Sequence, residues 1–134
     1  MARELKNILY AEDEADIRAI AQIALEDIGS FSVRFCVNGR EALEALRDYS
    51  PDLILLDVMM PEMDGPTALN ELRKIEACAK IPAMFMTAKI QANEVAEYKA
   101  LGAIDVIAKP FDPMTLAETI KQVWLEYYEQ SNAE

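Results

Sequence analysis

The chain has 134 residues, with 24 acidic and 13 basic side chains and a formal net charge of −11. That balance argues against unassisted binding to nucleic acid or to an anionic membrane, both of which attract basic patches. There is no histidine, which excludes Ser-His-Asp and Cys-His catalysis and His-ligated zinc.

The length suits one domain with a substantial core, and a composition of 52% hydrophobic and 28% charged residues is ordinary for a globular protein. Residues 6–11 read as a short strand. After Glu12-Asp13-Glu14, Ile17, Ile20, Ala21, Ala24 and Ile28 keep helical spacing, and Gly29 is a stop signal. Phe31 to Val37 reads as a second strand, and Asn38-Gly39 opens a helix carrying Ala42, Leu43 and Leu46 that ends before Pro51. The unbroken apolar run Leu53 to Leu56 predicts a central parallel strand covered on both faces. Gly65 and Pro66 start a third helix with Leu69, Leu72 and Ile75 on one face. Ile81 to Met86 predicts a fourth strand, about 91 to 100 a more polar helix, and Ala103 to Ala108 a fifth strand. A last helix from about Pro113 to Glu129 carries Leu116, Ile120, Val123 and Tyr127, with Trp124, Tyr127 and Tyr128 read as packing residues.

Strands alternating with helices across short turns imply an α/β fold, a doubly wound five-stranded parallel sheet. No linker or repeat interrupts it, so residues 1–134 read as a single domain without an output domain; Met1 and the polar end Ser131 to Glu134 agree. No apolar stretch approaches the roughly 20 residues of a membrane span, and no signal peptide is visible. Cys36 and Cys78 are isolated and read as buried small hydrophobes. The expected location is the cytoplasm.

In such sheets ligands bind beyond the carboxyl ends of the strands. There the sequence places Glu12 and Asp13 after the first strand, Asp57 after the third, Thr87 after the fourth and Lys109-Pro110 after the fifth. Each alone has an ordinary explanation: a helix cap, a first-turn acid, a strand-end hydroxyl, a solvated lysine. Together, three carboxylates repel one another unless a cation joins them, and hard oxygen donors suit Mg²⁺. An ammonium and a hydroxyl alongside would neutralise and hydrogen-bond an incoming phosphoryl group. Asp57, at the head of the most buried strand, is the expected nucleophile, forming an acyl phosphate.

Four segments, Tyr10 to Glu14, Leu55 to Gly65, Met86-Thr87-Ala88 and Ala108 to Phe111, occur in an order and spacing that resemble the receiver domains of two-component response regulators, of the single-domain chemotaxis-regulator kind. The resemblance covers essentially the whole chain. It implies a flavodoxin-like (βα)5 sheet of strand order 2-1-3-4-5. It implies that Asp57 takes a phosphoryl group from a phosphohistidine on a sensor histidine kinase or a histidine phosphotransfer protein, the chain catalysing only its own phosphorylation and dephosphorylation. Glu12, Asp13, Asp57 and the backbone carbonyl of Met59 would hold Mg²⁺, and Thr87 and Lys109 would contact the phosphoryl oxygens. The Lys109-Pro110 bond would be cis. A downstream effector protein would read the switch on roughly residues 88–130, or phosphorylation would drive homodimerisation.

The chain departs from the pattern at Val106, where receivers often carry an aromatic residue that couples the site to the output face. Met59 and Lys89 should lie at the mouth of the site and tune hydrolysis. Asp64-Gly65 reads as a structural turn and helix start. The main alternative is a pseudo-receiver that docks without being phosphorylated, usually marked by a missing acid, acceptor or lysine. A phosphohydrolase of the haloacid dehalogenase type needs an acid two residues after the nucleophile, where Met59 stands, and an FMN carrier needs a hydroxyl-rich loop after the first strand.

Overall fold

The computed structural model describes residues 4–88 and 91–132. In chain order the elements are β1 (Asn7–Ala11), α1 (Ala15–Gln22) continued by a π-helical segment (Ile23–Ile28), β2 (Ser32–Cys36), α2 (Gly39–Ala45) and β3 (Leu53–Asp57). Then follow α3 (Gly65–Leu72), a short 3-10 turn (Glu76–Cys78), β4 (Ala83–Thr87), α4 (Ala92–Ala100), β5 (Asp105–Ala108) and α5 (Leu116–Asn132). All four strand pairings are parallel and the order is β2-β1-β3-β4-β5. This is the flavodoxin-like arrangement, with β3 central.

Every residue of β3 and of β4 is buried, as the apolar run at Leu53 to Leu56 predicts for strands covered on both faces. Alternation of side chains divides the core in two. On one face Tyr10, Leu55, Met86 and Ile107 pack with Ala21, Ala24 and Leu25, and with Ile120 and Trp124 of α5. On the other, Leu9, Leu56 and Phe85 pack with Ala42 of α2 and with Leu69 and Leu72 of α3. Cys36 and Cys78 are both buried and free. Two helix starts carry the caps their sequences advertise. The Asn38 side chain accepts from Glu41 N–H at 2.8 Å, and Asp64 accepts from Thr67 N–H at 2.8 Å ahead of Pro66.

The first helix departs from its sequence pattern. Ile20 and Ile28 are 44% and 42% exposed, while Ala21, Ala24 and Leu25 are buried. The wider π-helical turn over Ile23–Ile28 shifts the inward stripe and takes Ile28 off the 3.6-residue pattern, whereas Ile20, in the regular helix before it, flanks the buried face that Ala21 occupies. The last helix begins at Leu116 rather than near Pro113, because Met114 N–H bonds the Asp112 side chain at 2.9 Å and makes a turn first. β4 and β5 each start two residues later than their apolar runs.

Candidate functional site

Register brings the site together. Ala11 stands opposite Leu56 in the β1–β3 pair, so the next residues, Glu12 and Asp57, emerge side by side. Thr87 stands opposite Ala108, so Lys109 leaves the sheet beside it. Glu12, Asp57 and Lys109 each follow by two a residue of the same core face, Tyr10, Leu55 and Ile107, and therefore point to that face. Lys109 Nζ lies 3.0 Å from Asp57 Oδ1 and 3.1 Å from Glu12 Oε1. Asp13 is exposed, yet Glu12, Asp13 and Asp57 each offer a carboxylate oxygen within 4.8 Å of the others.

Local structure holds these groups still. Glu12 is fully buried; its backbone N–H bonds Cys36 at 2.9 Å, and its carbonyl accepts from the Arg18 guanidinium at 2.7 Å. Gly65 donates to the Val58 carbonyl at 3.0 Å. A side chain at Gly65 would run into the carbonyl oxygen of Asp57 and the Phe85 ring. The Met-Asp-Gly turn after β3 thus needs glycine for close approach rather than for an unusual φ, and it fixes the backbone of Asp57. Lys109 N–H bonds the Thr87 carbonyl at 2.8 Å, and the Lys109–Pro110 peptide is cis.

Among the described residues the charges do not balance: three carboxylates face one ammonium. Burial, and then the neighbouring Asp57, push Glu12 up to about 7 against the pull of the Glu14 N–H and Lys109. Burial also raises Asp57 above the usual carboxylate range, although Lys109 opposes it. Burial works against the Lys109 ammonium, but hydrogen bonds to Asp57 and Glu12 outweigh it and raise its pKa. A pocket of hard oxygen donors with surplus negative charge, partly relieved by taking up a proton, is what a divalent cation fits.

A cavity of about 370 Å³ opens over this cluster, lined among others by Asp13, Asp57, Met59, Thr87 and Lys109. Thr87 is 7% exposed and Met59 is 80% exposed at the mouth. Val106 lies elsewhere, half-buried against the apolar cluster that holds Phe85. Lys89 lies outside the described residues. Two lining residues, Glu94 and Tyr98 of α4, escaped the sequence reading. Their signal was their i, i+4 spacing, which puts both on one helix face. Tyr10 also escaped: its hydroxyl is buried below the acids without a hydrogen-bond partner.

Residues 8–121 match the family described as the response regulator receiver domain. The chain belongs to that family. The chemotaxis protein CheY of Bacillus subtilis (strain 168) is 37% identical over 115 residues, covering 86% of this chain and 94% of that one. The chemotaxis protein CheY of Thermotoga maritima is 35% identical, over 88% of this chain and 97% of that one. Among solved structures, the chemotaxis response regulator CheY4 of Vibrio cholerae superposes with a TM-score of 0.82 at 31% identity, covering 90% of this chain and 99% of that one. The chain spans about half the length, 56% and 55%, of the first curated relatives it matches. A receiver is a signalling switch of two-component systems rather than a conventional enzyme, and receivers partner with histidine kinases. Among the described residues no helix is long and apolar enough to cross a membrane.

Proposed function

We propose that this receiver accepts a phosphoryl group on Asp57 from a phosphohistidine of a sensor kinase or a histidine phosphotransfer protein, and that the modified domain changes its protein contacts. The observation that carries this reading is the ion cluster itself. A strand-end carboxylate only 4% exposed is held 3.0 Å from Lys109, beside two further carboxylates, under an open cavity. The Asp57 oxygen attacks phosphorus, the P–N bond to the donor imidazole breaks, and that imidazole leaves with the electron pair and takes a proton. Lys109 and Thr87 contact the transferred oxygens and offset their charge. Glu12, Asp13, Asp57 and the Met59 carbonyl would hold Mg²⁺, which supplies electrostatic stabilisation of the phosphoryl oxygens when bound. Gly65 and Pro110 shape the backbone around the site. The chain acts as a single receiver in the cytoplasm, signalling through roughly residues 88–130 to an effector protein or to a second copy of itself.

Intact mass tests the reading, with wild type and Asp57→Asn incubated with acetyl phosphate and Mg²⁺. The expected result is gain of one phosphoryl group by wild type alone, abolished by a chelator. Gain in the mutant moves the acceptor elsewhere. No gain from either acetyl phosphate or a phosphorylated histidine phosphotransfer domain leaves a docking module that works without phosphorylation.

A further inference from the structure

A helix packed on a sheet buries an apolar stripe. α1, α2, α3 and α5 each do so, through residues such as Ala21, Ala42, Leu69 and Ile120. No residue of α4 is buried. Its inward face is made of Glu94, Val95 and Tyr98, all half-buried, so a carboxylate stands where the pattern calls for an apolar residue. Glu94 and Tyr98 both line the cavity over Asp57. The Tyr98 ring meets Phe85 edge-on, with centroids 5.1 Å apart, and Phe85 is buried on β4 two residues before Thr87. α4 therefore meets the sheet through half-buried contacts, the Tyr98 ring on Phe85 and an ion pair between Lys99 and Asp105 of β5 at 3.9 Å among them, with Glu94 lining the cavity over the phosphoacceptor.

We propose that Glu94 is the residue by which α4 registers the charge on Asp57, with Tyr98 as the pivot on Phe85. The inference rests on the phosphoacceptor reading above. A phosphoryl group adds about −1.5 to −2 charges, and beside a carboxylate it acts by like-charge repulsion. In a cavity of about 370 Å³ that Asp13 and Glu14 also line, the repulsion on Glu94 is the part that acts through a helix with no buried side chain to resist it. Phosphorylation thus shifts α4 toward a more open state, altering the surface presented by residues 92–100. Glu94 also lies in the first turn of α4, where an acid favours the helix dipole in either state. That static role does not depend on Asp57, so a difference measurement separates the two.

The test is hydrogen exchange of the α4 amides, with and without acetyl phosphate and Mg²⁺, in wild type, Glu94→Gln and Glu97→Gln. Glu97 is exposed on the same helix and gives the same change in net charge. Intact mass on the same samples gives the phosphoryl content. Exchange in α4 is expected to quicken about five-fold or more on phosphorylation of wild type and Glu97→Gln, and to stay unchanged in Glu94→Gln at equal phosphoryl content. Wild-type-like quickening in Glu94→Gln, or none in phosphorylated wild type, overturns the proposal while leaving the phosphoacceptor reading standing. Absence of any phosphoryl gain sinks that reading first, and this inference with it.

Discussion

Two aspartates bracket the central strand. Asp52 lies just before β3 and Asp57 ends it, five positions along the same backbone. The Asp52 carboxylate accepts from the backbone N–H groups of Lys6 and Asn7 at 3.0 and 2.9 Å, and its carbonyl accepts from the Trp124 indole at 3.0 Å. Those donors are fixed, so Asp52 ties the N-terminal segment, β3 and α5 together. Asp57 instead shares the Lys109 ammonium with Glu12 and has Asp13 beside it. A carboxylate answered by backbone donors belongs to the fold, whereas one left in a surplus of negative charge remains available to a cation or to chemistry.

The largest test of that contrast is the pH dependence of the metal-free protein. Glu12 holds its proton up to about 7 in the fold, against an ordinary 4.5. Between those values the folded chain binds more protons than the unfolded one, so this group's stabilising effect is full below about pH 4.5 and is lost as pH rises through about 7. Asp57, also raised, acts in the same direction. Urea unfolding in the presence of a chelator should show a loss on the order of 2–3 kcal/mol across that window. Glu12→Gln should flatten most of it, and Mg²⁺ should reverse it by taking the carboxylates. A slope that survives Glu12→Gln would mean that the surplus charge lies elsewhere.

The same contrast explains what could be read from the residues alone. Apolar runs and turn signals give the five strands because each element carries its own period, whereas the strand order came only with the resemblance to receivers, since no period within a strand says which strand lies beside it. The acids, Thr87 and Lys109 were legible because strand ends in a parallel sheet converge on one edge. Ile28 misled because a π-helical turn leaves no mark in a 3.6-residue pattern. Glu94 and Tyr98 were passed over because α4 reads as a polar surface helix, and only packing shows which of its faces turns inward. Asp52 was invisible for another reason: its donors are backbone groups 45 and 46 positions away.

Reversing the aspartates should separate them by sign. Asp52→Ala removes the acceptor of two N–H groups and is expected to cost about 2 kcal/mol, since hydrogen bonds to charged groups are worth roughly 1.5–3 each and this one is partly solvated. Asp57→Asn removes a carboxylate that burial disfavours and leaves Lys109 to Glu12. Without metal at neutral pH it should unfold at equal or higher denaturant concentration than wild type. Loss of stability in both variants would show that Asp57 is as structural as Asp52.

The smallest effect concerns the open side of Asp57. The Trp124 indole closes over Asp52, but Asp57 looks into a cavity whose mouth carries Met59, 80% exposed. On the proposed phosphoacceptor reading, water that hydrolyses an acyl phosphate at Asp57 is expected to approach past that side chain, and a thioether offers it no strong hydrogen bond. Met59→Asn exchanges the apolar guard for an amide that can hold and orient water. It should shorten the life of the phosphorylated protein about two- to five-fold, a change of under about 1 kcal/mol in barrier. Stability should be little altered, because so exposed a side chain contributes little to the core. Decay of the phosphorylated mass after removal of the donor measures the rate, and equal decay of both proteins would place the approach of water on another side of the cavity.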